Sequence, residues 1–248
     1  MTSAWAIEAT RIPAPYNPAL LGYAPQQARQ PIQASNAFRQ SVAKIWCCAV
    51  GNTDAVAAGT GVFITKNVLL TVGHVLFDAR QFGLGRCGGY VDHVSIESQW
   101  LGLVGLSTNR VVAAPDWTAA AANAGSDLGV IKLDQPVASA IPVTPQAVND
   151  ASLSGQAISV CGYPGINNQL FDAHGRCLAL SSELIFHNAD VEDGESGSPL
   201  FTAGASVKLA GLHRAGPGST PSGYPDSVSA FRFTPEAIDW VKSVIPLL

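Results

Sequence analysis

The chain has 248 residues, 47% of them hydrophobic and 13% charged, with a formal net charge of −4. This is enough apolar material for one large domain or two small packed ones. It lacks the basic excess that nucleic acid or an anionic membrane surface would require, so neither is expected as a partner. No apolar run approaches the roughly 20 residues of a membrane span. The opening "MTSAWAIEATRIPAPYNP" has no basic segment followed by an apolar core, so no signal peptide is expected there.

Residues 1–37 include "RIPAPYNPALLGYAPQQARQP", rich in Pro, Ala and Gln and without periodicity. They are expected to form an extended arm or pro-segment, ordered only where Tyr16, Leu20, Leu21 or Tyr23 dock. The structured body should begin near "FRQSVAKIWCCAVG". Short β-rich runs follow in "GTGVFITKN" and "VLLTVGHVLF", separated by a hairpin-like break at Lys66-Asn67. "YVDHVSIESQ" alternates like a half-buried strand, and "NRVVAAP" and "SDLGVIKLDQPV" read as further strands. The second half repeats this style in "GQAISVCGYPG", "CLALSSELIFHN", "SGSPLFT", "VKLAGLHRAG" and "SVSAFRF". The closing "TPEAIDWVKSVIPLL" predicts a helix, with Thr234 as N-cap, Pro235 as first helical residue and Ile238, Val241 and Ile245 on one face. About twelve short strands and one terminal helix predict an all-β fold of two packed antiparallel β-barrels. The first should span 38–140 and the second 141–248.

The five cysteines are Cys47, Cys48, Cys87, Cys161 and Cys177. An odd number leaves at least one thiol unpaired within a monomer. A bridge from Cys161 to Cys177 across a hairpin-like excursion is one alternative, and buried inert thiols are the default. No CxxC or paired Cys/His spacing points to zinc, and neither metal nor cofactor is expected.

Three stretches carry chemistry. In "TVGHVLFDA", His74 follows a β-rich run where a strand is ending; alone, it would read as a satisfied core histidine. In "GSDLGVIKL", Asp127 immediately precedes an apolar strand, a common place for a turn aspartate. In "DGESGSPLF", Ser196 stands between two glycines. A serine hydroxyl is a poor nucleophile at neutral pH and needs an imidazole to take its proton. The imidazole in turn needs a carboxylate to fix its tautomer. Together the three supply that set in the order His, Asp, Ser. The α/β-hydrolases run Ser, acid, His with a G-x-S-x-G elbow, whose last glycine is replaced here by Ser198.

These stretches resemble the chymotrypsin-fold serine endopeptidases, specifically the V8-like, glutamyl endopeptidase branch. "GESGSP" matches its G-x-S-G-S-P motif, "CGYPG" its G-Y-P-G segment, and "GTGVFITKNVLLTVGHV" its strand pair leading to the catalytic histidine. "LAGLHRAG" is similar to its G-I-H strand, and "FRFTPEAIDWVKSV" to its closing strand and helix. The resemblance runs from about residue 38 to the end and implies two six-stranded barrels. It implies His74 as general base and acid, Asp127 as its orienter, Ser196 as nucleophile, and the N–H groups of Gly194 and Ser196 as an oxyanion hole. The implied protein is a monomeric, secreted or otherwise exported endopeptidase acting on proteins or peptides.

The implied pocket is less uniform. His213 stands where the branch places a histidine against an acidic substrate side chain, implying cleavage after Glu or Asp. Arg214 alternates away from that face. Asp190 falls where trypsin-like enzymes hold the carboxylate that selects Arg or Lys. Val191 replaces a threonine, and Asp193 a small residue at the rim. Gly216 belongs to the same pocket. Glu195 stands where the branch has Asn or Gln, placed to pair with a freed N-terminal amine or an arginine; Glu192 completes an acidic turn. Cleavage after Arg or Lys, and a silent peptide-binding pseudoprotease, are therefore the alternatives.

Overall fold

β-branched and aliphatic runs pair into two antiparallel sheets in this computed structural model. It describes residues 29–32, 38–48, 55–78, 89–118, 124–165, 168–203, 206–215 and 227–248. The strands of the first half are β1 (Gln30–Pro31), β2 (Val42–Cys48), β3 (Ala55–Phe63), β4 (Val68–Thr71), β5 (Phe77–Asp78), β6 (Gly89–Tyr90), β7 (His93–Ser98), β8 (Leu103–Thr108), β9 (Val111–Ala113) and β10 (Gly129–Lys132). Two single-turn helices, α1 (Gly73–Leu76) and α2 (Pro115–Thr118), interrupt them. The second half contains α3 (Asp150–Leu153), β11 (Ala157–Gly162), β12 (Phe171–Leu180), β13 (Leu184–His187), β14 (Pro199–Thr202), β15 (Leu209–Ala215), β16 (Val228–Arg232) and α4 (Pro235–Val244).

The first sheet has the order β8-β7-β2-β3-β4-β10-β9 and curls into a nearly closed barrel. Its seventh strand arises because the chain breaks at Asn109-Arg110, splitting β8 from β9. At the end of β8 the Thr108 hydroxyl donates to the carbonyl of Lys132, the last residue of β10, at 2.9 Å. In the second sheet, β12-β11-β14-β15-β16-β13 closes into a six-stranded barrel because β12 also pairs with β13. The expected alternation is plain in β7, where inward residues Val94, Ile96 and Ser98 are buried and the residues between them half-exposed. The expected hairpin at Lys66-Asn67 joins β3 to β4, with Val62 opposite Leu70.

Tyr16, Leu20, Leu21, Tyr23 and Cys87 lie outside the described residues. The end of the arm docks on the second barrel before the chain enters the first. Gln30 and Pro31 pair with Asp172 and Phe171, and the Ile32 N–H donates to the Leu170 carbonyl at 2.9 Å. At the other end, the Thr234 hydroxyl caps α4 by accepting from the Ala237 N–H at 3.2 Å, and Val241 is buried against the core.

Cys47, Cys48, Cys161 and Cys177 are buried free thiols, and the Cys161–Cys177 bridge is not formed. Cys161 lies opposite Asp172, five positions from Cys177 along β12. That is roughly 16 Å at strand rise, far beyond disulfide reach.

The barrels meet along a seam of backbone. The Thr60 N–H of β3 donates to the Ser196 carbonyl at 2.7 Å, and the Tyr163 N–H donates to the Thr60 hydroxyl at 3.0 Å. Gly197 makes this approach possible. Its φ is +88°, and a Cβ there would lie 2.1 Å from the Thr60 carbonyl oxygen. Gly197→Ala should therefore destabilise the fold by at least about 2 kcal/mol, from the left-handed backbone and the clash together. Urea unfolding of the variant against wild type measures it.

Candidate active site

α1 starts one residue after β4 and sets His74 in the cleft between the barrels. The His74 N–H donates to Asp127 Oδ1 at 2.9 Å, and its ring Nδ1 lies 2.8 Å from Asp127 Oδ2. A fully buried carboxylate at this distance holds the ring proton on Nδ1 and leaves Nε2 as the basic nitrogen. The ring of Trp117, on α2, lies 6.1 Å from that of His74 and walls it in. Asp127 reaches the site because a 3-10 turn, Ala124–Ser126, ends directly before it and β10 begins two residues later.

Asp127 has a further partner. Arg214 Nε donates to the same Oδ2 at 3.1 Å. The β15–β16 register slips between His213 and Ala215, so Arg214 is the extra residue of a bulge. Its side chain turns away from the His213 side, as the alternation predicts, toward the first barrel and the Asp127 carboxylate. The Arg214 carbonyl meanwhile accepts from the Ser196 hydroxyl at 3.5 Å. One residue thus touches both the acid, Asp127, and the serine, Ser196.

The turn before Ser196 is fixed by its glycine. Gly194 has φ +94°, and a Cβ there would strike Gly165 at 2.3 Å. The obstacle is the Gly-Tyr-Pro-Gly backbone itself. The Gly165 N–H donates to the Asp193 carbonyl at 2.8 Å. Because the peptide is trans, this turns the Gly194 N–H the opposite way. Two backbone N–H groups from such a turn can hold a developing oxyanion.

The acids of this turn do not act alike. Asp193 and Glu192 are exposed, whereas Glu195 is fully buried. The carboxylate–arginine alternative for Glu195 is the one found. Arg29, just ahead of β1, forms a close ion pair with Glu192 and stands 3.8 Å from Glu195 Oε2. Its backbone N–H donates to Asp190 at 3.4 Å, and its guanidinium lies 5.7 Å from the centre of the Phe171 ring. Burial pushes the Glu195 carboxyl up to about 8, against the pull of Arg29 and with a further push from Asp190. Val191 packs against the interior of the second barrel. Gly216 lies outside the described residues.

His213 is buried, and among the described residues its ring has no hydrogen-bond partner; its Nδ1 is wholly enclosed. Its ring stands 5.6 Å from that of His187, edge to face. Burial, then the neighbouring His187, His74 and Arg214, hold His213 well below the usual imidazole range. Burial alone takes His187 down to about 3. His187, Trp117, Arg29 and the Arg214 link to Asp127 are not singled out by the sequence. Each depends on contacts between distant strands, and a strand histidine in "LIFHN" carries no local signal.

A family model for the trypsin-like peptidase domain matches residues 59–211, more than half of the chain. The chain belongs to the trypsin-like peptidase family. It is 24% identical over 164 residues to a glutamyl endopeptidase of Bacillus licheniformis, covering 62% of the chain. The peptidase chain spans about half of that relative, 48% of its length. Among solved structures, it resembles a Glu endopeptidase in complex with MPD at a TM-score of 0.69 and 18% identity, covering 87% of this chain and 95% of the other. It also resembles the protease Anisep of Arthrobacter nicotinovorans at a TM-score of 0.60 and 17% identity, covering 80% and 92%. At these identities the structural likeness speaks to the fold. No helix among the described residues is long and apolar enough to cross a membrane.

The buried titratable groups fix how stability varies with pH. Glu195 moves from 4.5 when unfolded to about 8, so its contribution is complete below the unfolded value and is lost as pH rises toward 8. His187 moves from 6.5 to about 3, so its contribution is complete above the unfolded value and is lost as pH falls toward 3. His213 shifts the same way as His187, so with two imidazoles set against one carboxyl, stability should be greatest near the unfolded imidazole value of 6.5 and fall on both sides. Glu195→Gln should flatten the alkaline side and His187→Phe the acid side, read from urea midpoints across the range.

Proposed function

We propose that the protein is a serine endopeptidase that cleaves peptide bonds through an acyl-enzyme. His74 Nε2 takes the proton of Ser196 Oγ as it attacks the carbonyl and later returns it to the leaving amine. Asp127 holds the ring and stabilises the imidazolium, and the N–H groups of Gly194 and Ser196 receive the oxyanion. The observation that carries this reading is the fully buried Asp127 carboxylate, bonded twice to His74 and once to Arg214, whose carbonyl accepts from Ser196. The substrate is a protein or peptide, and an exported location belongs to the same proposal.

For the residue before the cut, we favour an acidic side chain, Glu foremost. A neutral His213 ring without a partner among the described residues is suited to donate an N–H to a carboxylate. Cleavage after Arg or Lys draws less support, because Asp190 accepts from Arg29 and Glu192 pairs with it. The complete His-Asp-Ser set argues against a silent pseudoprotease.

A fluorophosphonate probe should label the protein, and Ser196→Ala should abolish labelling. Asp127→Asn should lower kcat by about 10⁴ through the wrong imidazole tautomer. A peptide library randomised before the cut should return Glu, with the preference lost in His213→Ala. A return of Arg or Lys would move the selectivity to Asp190, and a bound peptide left intact would mark a binding protein.

A further inference from the structure

Arg214 does more at this site than fill a bulge. Its Nε and the His74 ring share one oxygen, Asp127 Oδ2, at 3.1 and 2.8 Å. Its Nη1 also donates to Ser229 of β16 at 3.3 Å, which fixes the fork in place. Oδ1 is occupied by the His74 backbone N–H. A neutral donor would satisfy the remaining acceptor capacity of Oδ2 as well as a guanidinium does. What the guanidinium adds is a full positive charge within about 6 Å of the imidazole, buried where solvent screens it poorly.

Among the described residues, the other groups packed around His74 do not duplicate that charge. β15 also brings His213, which burial keeps neutral. β9 carries no titratable residue, β5 carries Asp78, and on β10 Lys132 donates to the Ile245 carbonyl instead. α2 presents Trp117.

We propose that Arg214 is a positioning residue that sets the acid limit of catalysis. Bonded to the oxygen that holds His74, its guanidinium offsets the negative charge that favours the protonated ring, so His74 stays able to accept the Ser196 proton at lower pH than it otherwise would. The inference rests on the triad reading above. The sign is fixed by the charges. A protonated His74 cannot act as base, Asp127 favours that state, and Arg214 opposes it. Removing the cation therefore moves the acid limb of the rate profile to higher pH.

The test measures the rate of Ser196 modification by a fluorophosphonate across pH in the full chain, which needs no knowledge of the substrate. In Arg214→Met the midpoint of the acid limb should rise by roughly one to two pH units. In Arg214→Lys, which keeps the charge, it should remain near that of wild type. If Arg214→Met does not give native circular dichroism, Arg214→Gln reads the same shift while keeping an N–H donor. A residue that only braced the bulge would lower the plateau in every variant and leave the limb where it is. An unmoved limb, or one displaced to lower pH, in a folded neutral variant overturns the inference while labelled wild type leaves the triad standing. Wild type that is unlabelled at every pH overturns the triad reading, and this inference with it.

Discussion

The buried carboxylate of Asp127 is the constraint on which the site depends. A charge with no solvent contact is tolerated only when its oxygens are filled, and here they are filled by His74 twice and by Arg214. Those donors come from α1 of the first barrel and β15 of the second. The barrels therefore cannot separate or slide without stranding the charge. The cleft between them is as well defined as a core, although two rings and a serine hydroxyl line it in place of aliphatic side chains.

The acidic turn follows different rules. Its four carboxylates crowd beside Ser196, an arrangement that would repel the oxyanion of the proposed mechanism if all were ionised and aimed inward. They are dispersed instead. Glu195 is buried and its ionisation resisted, Glu192 is tied to Arg29, and Asp193 is exposed, with its carbonyl on Gly165. The negative charge next to Ser196 is thus smaller than the composition suggests.

The strands, the terminal helix and the order His, Asp, Ser were legible because each rests on local pattern: alternation, a Thr-Pro cap, a glycine-flanked serine. The alternation of β7 and the capping of α4 follow directly from such signals, although β7, His93–Ser98, is shorter than the run that suggested it. What escaped the sequence is pairwise and distant. The His187–His213 contact joins β13 to β15, and Arg29 meets residues more than 160 positions away. The thiols show the same limit from the other side. Spacing alone permitted a Cys161–Cys177 bridge, and strand register excludes it. Arg214 lies between these cases. Alternation gave its direction, but only the bulge and the neighbouring barrel make Asp127 its partner.

The short pairing of Gln30 and Pro31 with β12 also orders events in time. During synthesis Arg29 leaves the ribosome well before any of its partners. Phe171 and the acids from Asp190 to Glu195 do not exist until most of the chain has been made. A segment made ahead of both barrels is thus fastened only after both have strands to offer. Under the proposed mechanism, a chain interrupted partway carries His74 and Asp127 but neither Ser196 nor the turn that Arg29 steadies, and so would lack the means of cutting its neighbours.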